Sequence, residues 1–253
     1  MKYLCIGPGG MGLYAFLGVL KNFEDELKEV EEYSGASAGS LLCLFLACGK
    51  TIDEILGFCL KLDLSKYTKL SLTSFIKSYG FINTRPIKET LVEFIGGDPT
   101  FKSIDKKLYI STYCINKHQT EYMSVDTYPD MSIIDAVCMS ISIPFVFSSI
   151  EFNDMLYIDG GTVEDLPIPP FYLNDPNEIL CIKLKHSDIG HDINDIKDYS
   201  FTLLKSFMRL RINHDPKKLI NVDVGQNNIF NFKMSEYDKI KLYTIGLQTN
   251  KDF

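Results

Sequence analysis

The stretch YSGASAGSLLCLFLACG, residues 33–49, constrains the chain most. Ser37 stands between Gly35 and Gly39, with an alanine on either side and an apolar run behind it. Val30 to Ser34 reads as a short strand and Ser40 to Ala47 as an apolar helix. The glycines therefore fall on a strand-to-helix turn, which tolerates only small neighbours and projects its middle side chain from the end of a sheet. Two readings follow. Ser37 is a nucleophile on such an elbow, with the amide dipoles of the next helix aimed at developing negative charge. Alternatively the turn is structural and its serine is only hydrogen-bonded.

The N-terminus repeats the same grammar. Residues 3–6 (YLCI) suit a buried strand, and Leu13, Phe16, Leu17, Leu20, Phe23 and Leu27 recur at helical spacing over 13–31. Between them lies Gly7-Pro8-Gly9-Gly10-Met11-Gly12, which fits GxGxxG. A dinucleotide fingerprint also needs an acidic residue at the end of the next strand to hold a ribose. Here that strand ends in Ser34-Gly35, the serine turn itself, which counts against a nucleotide. The other use of exposed glycine amides at a helix start is to hold an oxyanion.

A third turn, Asp159-Gly160-Gly161, closes the apolar strand Met155–Ile158. Catalytic groups collect at the C-terminal edge of a parallel sheet, which sets this turn apart from an ordinary one. The four histidines, His118, His186, His191 and His214, carry no turn signature of a catalytic loop and read as surface residues. With no histidine marked as base, Asp159 activating Ser37 directly is the economical arrangement.

Amphipathic helices are predicted over 51–62, 86–95, 132–142, 195–212 and 235–248, and strands over 107–115, 120–125, 155–161 and 178–184. The alternation favours an α/β layered domain with a mostly parallel sheet. No repeat or linker divides residues 1–253, so one domain is expected.

With 45% hydrophobic and 23% charged residues, the chain can bury a core without staples. Its seven cysteines are odd in number, lack a CxxC pair and sit mostly in apolar runs. They read as core residues in a reducing compartment, which makes a cytoplasmic location the expectation. A net charge of −7 without a dense basic stretch argues against nucleic acid as a main partner. It also argues against purely electrostatic attraction to an anionic membrane, leaving docking through apolar contacts open. Gly7-Pro8-Gly9-Gly10 interrupts the first apolar run after four residues, unlike a secretory signal. The longest apolar stretch, Leu41–Cys48, is too short to span a bilayer.

Taken together, CIGPGGMGLYAFLGVLKNFED, YSGASAGSLL and SISIPFVFSSIEFNDMLYIDGGTVEDLPI resemble, in order and spacing, the three signature blocks of patatin-like phospholipases. The resemblance covers about residues 2–170. It implies a three-layer α/β/α fold with a mostly parallel central sheet, and a Ser–Asp dyad that needs no metal or cofactor. Carried over, Ser37 is the nucleophile and Asp159 the base. Amides around Gly9, Gly10 and Met11 form the oxyanion hole, and Gly7, Gly12, Gly35, Gly39, Gly160 and Gly161 are motif glycines. The implied substrate is a phospholipid or other fatty-acyl ester, cleaved in phospholipase A fashion, with peripheral membrane contact allowed. Residues 63–82 and Pro144–Phe147 are expected either to line an acyl pocket or touch a bilayer, or to be ordinary core and loop packing.

Two departures stand out. Family loops usually read GGGx(K/R)G, and no alignment of this loop supplies the Lys or Arg. An asparagine pair common after the DGG turn is replaced by Glu164-Asp165, whose charges are expected to raise the pKa of Asp159. The altered loop motivates one rival, a lipid-binding protein with impaired chemistry. The GxGxxG pattern motivates another, a nucleotide-binding α/β domain.

Overall fold

The computed structural model describes residues 1–62, 75, 78–185, 187, 193–194 and 196–250, the side chains of 196–198, 201 and 207 excepted. The expectation for 63–82 lies largely outside the described residues.

Eight strands form one sheet in the order β10-β9-β1-β2-β4-β8-β7, with β5 paired to β4 off this path. Its parallel part comprises β10 (Leu219–Asp223), β9 (Ile179–Lys185), β1 (Tyr3–Ile6), β2 (Glu32–Ala36) and β4 (Lys107–Cys114). The antiparallel part comprises β5 (Gln119–Met123), β7 (Ile150–Phe152) and β8 (Met155–Asp159). Two three-residue strands, β3 (Gly80–Ile82) and β6 (Phe145–Phe147), pair apart from it.

The register of β4 decides where the chemistry lies. Lys107–Ser111 of β4 pair with β2, and Thr112–Cys114 pair with β8. β5 pairs with Ile110–Cys114, overlapping both sets, so it takes the opposite edge. β2 and β8 therefore share one edge of β4 and meet head-on along it. Ala36 opposes Ser111 and Asp159 opposes Thr112, the next residue.

Helices α1 (Leu13–Lys21), α2 (Ala38–Ala47), α3 (Ile52–Lys61), α4 (Arg85–Ile95), α5 (Ile133–Ser140), α6 (Ile196–Met208) and α7 (Glu236–Leu247) follow local signals where these are strong. Thr51 and Glu54 form a reciprocal capping box at the start of α3. Ser132 and Ser235 cap α5 and α7 by accepting from the amides of Asp135 and Asp238. The pattern expected to be helical over 13–31 breaks after Lys21 into a turn and a short 3-10 segment, Glu26–Glu29. β3, β6, β7 and β10 are additional to the predicted strands.

Strand alternation divides the core between the two faces of the sheet. Leu4 and Ile6 join the large cluster with residues of α1–α5 and α7, while Cys5 joins Cys181, Ile179, Leu166, Ile168 and Phe171 on the other side. The layers are thus three but unequal, and the second face is covered in part by the segment around the 3-10 turn Pro169–Phe171. The cysteines are free, and all but Cys48 are buried. Among the described residues, no helix is long and apolar enough to cross a membrane.

Helices α1 and α7 meet through glycines. A Cβ at Gly18 would fall 2.1 Å from the Tyr243 carbonyl oxygen, and one at Gly246 would fall 1.9 Å from that of Ala15. Gly246→Ala is therefore expected to force the helices apart and cost about 1–3 kcal/mol by overpacking. Thermal unfolding checks this, with a melting temperature lowered by several degrees. An unchanged melting temperature would contradict the close approach.

Candidate active site

β2 ends at Ala36 and α2 begins at Ala38, so the chain reverses its course at Ser37 alone. Ser37 has φ 53° and ψ −123°, a left-handed backbone that a side chain rarely adopts. Such conformations cost on the order of 1–3 kcal/mol and persist where the surroundings over-determine them. Here the surroundings leave no alternative. A Cβ at Gly35 would lie 2.6 Å from the Gly39 carbonyl oxygen, and one at Gly39 would lie 2.2 Å from that of Ile6. The GxSxG spacing is therefore the spacing at which strand, helix and glycine loop touch backbone to backbone.

Hydrogen bonds pin the elbow. The Ser37 amide donates to Ser140 Oγ (2.9 Å), and Ser140 Oγ donates to the Ser111 carbonyl (2.7 Å). Ser40 Oγ donates to the Ser37 carbonyl (2.6 Å). Ser140 and Ser111 were not singled out in the sequence, where nothing distinguishes them from other serines.

Asp159, at the end of β8, is 3% exposed and shares a cleft with Ser37. Its Oδ1 accepts from the Gly161 amide (2.7 Å). Burial pushes the Asp159 carboxyl up to about 7, held back by the neighbouring Ser37 hydroxyl, by the Gly161 amide and by the charge of Arg211. Arg211 Nη1 donates to the Gly161 carbonyl (3.2 Å), so a cation is fixed beside the turn.

The expected raised pKa is present, but burial and not Glu164-Asp165 is its cause. Glu164 turns to Ser111 Oγ (2.8 Å) and Tyr122 Oη (2.9 Å), and its own carboxyl is pushed up to about 7 by burial. Asp165 is bonded to Lys183 Nζ (2.8 Å) and to the His214 amide (2.9 Å). His214 corrects the reading of a surface histidine: its ring is 12% exposed, with Nδ1 2.6 Å from Tyr172 Oη and Nε2 3.7 Å from Glu164. It does not line the cleft. His118 is exposed on the β4–β5 hairpin, and His186 and His191 lie outside the described residues.

The glycine loop brings Pro8, Gly9 and Gly10 to the same cleft. Gly10 has φ +51°, and a Cβ there would meet the Ile229 carbonyl oxygen at 2.6 Å. Met11 departs from its expected part, because its amide donates to that Ile229 carbonyl (2.7 Å). Gly12 likewise donates to Gly9 (2.8 Å), which tightens the loop into the first turn before α1. Gly7 packs on Asp165 and Gly161 packs on Pro8, so the loop and the DGG turn share one contact surface. At Gly160 a Cβ would meet Ser111.

Residues 4–172 match the family model described as patatin-like phospholipase, which is more than half of the chain. The chain belongs to the patatin-like phospholipase family. It is 32% identical over 182 residues to the uncharacterized protein R571 of Acanthamoeba polyphaga mimivirus, covering 68% of this chain and 61% of that protein. It is 28% identical over 184 residues to the probable lipid hydrolase 463L of Invertebrate iridescent virus 6, covering 66% and 62%. The same fold recurs in VipD from Legionella pneumophila, with a TM-score of 0.69 at 16% identity over 98% of this chain and 65% of that one. It recurs again in the type III effector ExoU, with a TM-score of 0.59 at 17% identity over 98% and 51%. The chain spans about three-fifths of the length of the curated relatives it matches.

In this patatin-like domain the buried Asp159 has a measurable signature. An unfolded aspartate titrates near 3.8 and the folded one near 7. Between those values the folded protein holds a proton that the unfolded chain has lost, so this group's contribution to stability falls as pH rises from about 4 to about 7. Asp159→Asn cannot ionise. Its melting temperature relative to the parent is expected to climb between pH 4 and pH 8. A difference independent of pH would contradict the buried, raised carboxyl.

Proposed function

We propose that the chain is a lipid acyl hydrolase of phospholipase A type, acting on a single domain through Ser37 and Asp159. One observation carries the reading: Ser37 stands where an apolar cavity meets a larger cleft of mixed polar and apolar lining. An apolar cavity of about 70 Å³ is lined by Met11, Leu41, Phe45, Phe58 and Phe147 among others. A cleft of about 560 Å³ holds Asp159 and the glycine loop. Both include Gly10, Ser37 and Ile143. An ester with an apolar acyl end and a polar alcohol matches the polarity of such a junction. Phe147 thereby takes the acyl-lining part expected of Pro144–Phe147, while Phe145 is exposed.

In this chemistry Ser37 Oγ attacks the ester carbonyl as Asp159 takes its proton. The proton passes to the leaving alcohol, and water activated by Asp159 then releases the fatty acid. A carboxyl tuned to about 7 suits a base working near neutrality. The oxyanion falls to the amides of Gly9 and Gly10 and to that of Ala38 at the start of α2, which meet no backbone acceptor among the described residues. Peripheral contact with a lipid surface is part of the proposal, because Leu210 and Ile212 are exposed beside Arg209 and Arg211 of the cleft. The occupied Met11 amide favours the second reading, a lipid-binding protein of weakened chemistry on the same fold.

Hydrolysis of a chromogenic fatty-acyl ester, followed by mass spectrometry of products from defined phospholipids, tests the proposal. Ser37→Ala should abolish turnover with the fold retained. Asp159→Asn should be equally damaging, and the double variant no worse, since the pair acts as a unit. Wild-type turnover by either single variant would refute the dyad.

Gly10→Ala isolates the loop. The added Cβ meets the Ile229 carbonyl and disfavours the positive φ, so the amide leaves its position. Loss of one oxyanion donor costs about 10²–10³ in rate, and kcat is expected to fall by that order with KM nearly constant. An unchanged kcat would place the donors elsewhere.

A further inference from the structure

If the acyl chain of a substrate lies in the apolar cavity, its alcohol portion must lie in the cleft on the other side of Ser37. The charge of that cleft then selects the alcohol. Five basic residues line it: Lys183 and Lys185 from β9, Lys205 from α6, and Arg209 and Arg211 from the segment that follows. Its only lining carboxylates are Asp159 and Asp165, among the described residues. The chain as a whole carries −7, so the gathering of positive charge runs against its composition.

The placement follows from periodicity. Lys183 and Lys185 are two apart on a strand and so point to one face of the sheet. Lys205 and Arg209 are four apart, and the Arg209 amide still donates to the Lys205 carbonyl (3.2 Å), so the turn carries past the end of α6 with Met208 on the same cleft wall. Each element therefore presents its cations together. Asp165 holds Lys183 at 2.8 Å, the more exposed Lys185 lies 3.6 Å from Asp223, and Lys205 Nζ stands 5.7 Å from the centre of the Phe230 ring. Arg211 is tied to the Gly161 carbonyl and sets one guanidinium beside Asp159.

We propose that this cleft is a phosphate subsite, which takes the headgroup of a glycerophospholipid of net negative charge, with Lys205 and Arg209 as the residues that read it. The proposal rests on the acyl-hydrolase reading for the direction of the lipid, and its test is a binding measurement that needs no turnover. Phosphate oxygens match the forked donors of arginine and the point charge of lysine, and charge-assisted bonds of this kind are about twice as strong as neutral ones. The basic residue missing from the glycine loop is thus compensated in charge, on the alcohol side of the nucleophile. Composition hides this site because the cations are spread over β9, α6 and the segment to Arg211.

Soluble short-chain dialkyl ether lipids, which an esterase does not cleave, serve as probes in calorimetry with the wild-type chain. The ether glycerophosphate should bind about tenfold or more tightly than the neutral dialkylglycerol, as two charge-assisted contacts allow. The advantage should shrink with added salt. Lys205→Gln/Arg209→Gln should remove most of it, and Lys205→Arg/Arg209→Lys, which keeps the charge, should retain it. Inorganic phosphate, lacking the chains, should bind more weakly than the ether glycerophosphate. Equal affinity for charged and neutral lipids would overturn the proposal, as would a preference that survives both salt and the glutamine pair. Phosphate binding as tightly as the lipid would overturn it in favour of a free-phosphate site. Selective binding without any ester turnover would leave the subsite standing and refute the hydrolase reading instead.

Discussion

Along one edge of β4, two strands end facing each other. β2 arrives from one direction and stops opposite Ser111, and β8 arrives from the other and stops opposite Thr112. Neither can extend, because the other occupies the ladder. The chain must leave the sheet at both ends, into α2 on one side and the Gly160–Gly161 turn on the other. Ser37 and Asp159 are the residues at those two exits. Their proximity is a consequence of register, and a slip of one residue in either pairing would turn one of them to the opposite face.

Close packing then makes the meeting point rigid. The glycines at 7, 35, 39, 160 and 161 touch backbone or proline atoms at distances that exclude a Cβ. The same packing removes water from Asp159 and raises its carboxyl toward neutrality. Under the proposed dyad, burial thus couples stability and chemistry in a single residue. A carboxylate that weakens the fold when ionised is also one whose proton affinity suits catalysis near pH 7.

Most of the architecture could be read from the chain because its signals are local. The alternation of short apolar runs with helical spacing predicts β1, β2, β4, β5, β8 and β9 and most of the helices between them. Three glycine-bearing turns mark the residues that converge. What the sequence does not reveal depends on partners distant along the chain. β10 is five residues long and gains its identity from pairing with β9, and β3, β6 and β7 are only three residues each. The reading of Asp159 at the C-terminal edge of a parallel sheet is corrected, since β8 runs antiparallel to β4 and Asp159 lies beside Ser37 because β8 stops where β2 does. Ile229 lies more than 200 residues beyond the loop whose Met11 amide it occupies, so no local pattern could announce that bond. His214 looks like a surface residue until the 212–214 segment is seen docked against Val163 and Asp165.

The central claim, that Ser37 is activated by Asp159 without a histidine, is tested most directly by covalent trapping. The protein would be treated with a fluorophosphonate across a pH series, and the adduct located by peptide mass spectrometry. The account predicts a single adduct on Ser37, formed with a rate that rises through a midpoint near pH 7, the pH at which Asp159 gives up its proton. It predicts that Asp159→Asn removes this reactivity while His214→Gln retains it. An adduct on another residue, or a Ser37 adduct that forms equally fast in Asp159→Asn, would contradict it.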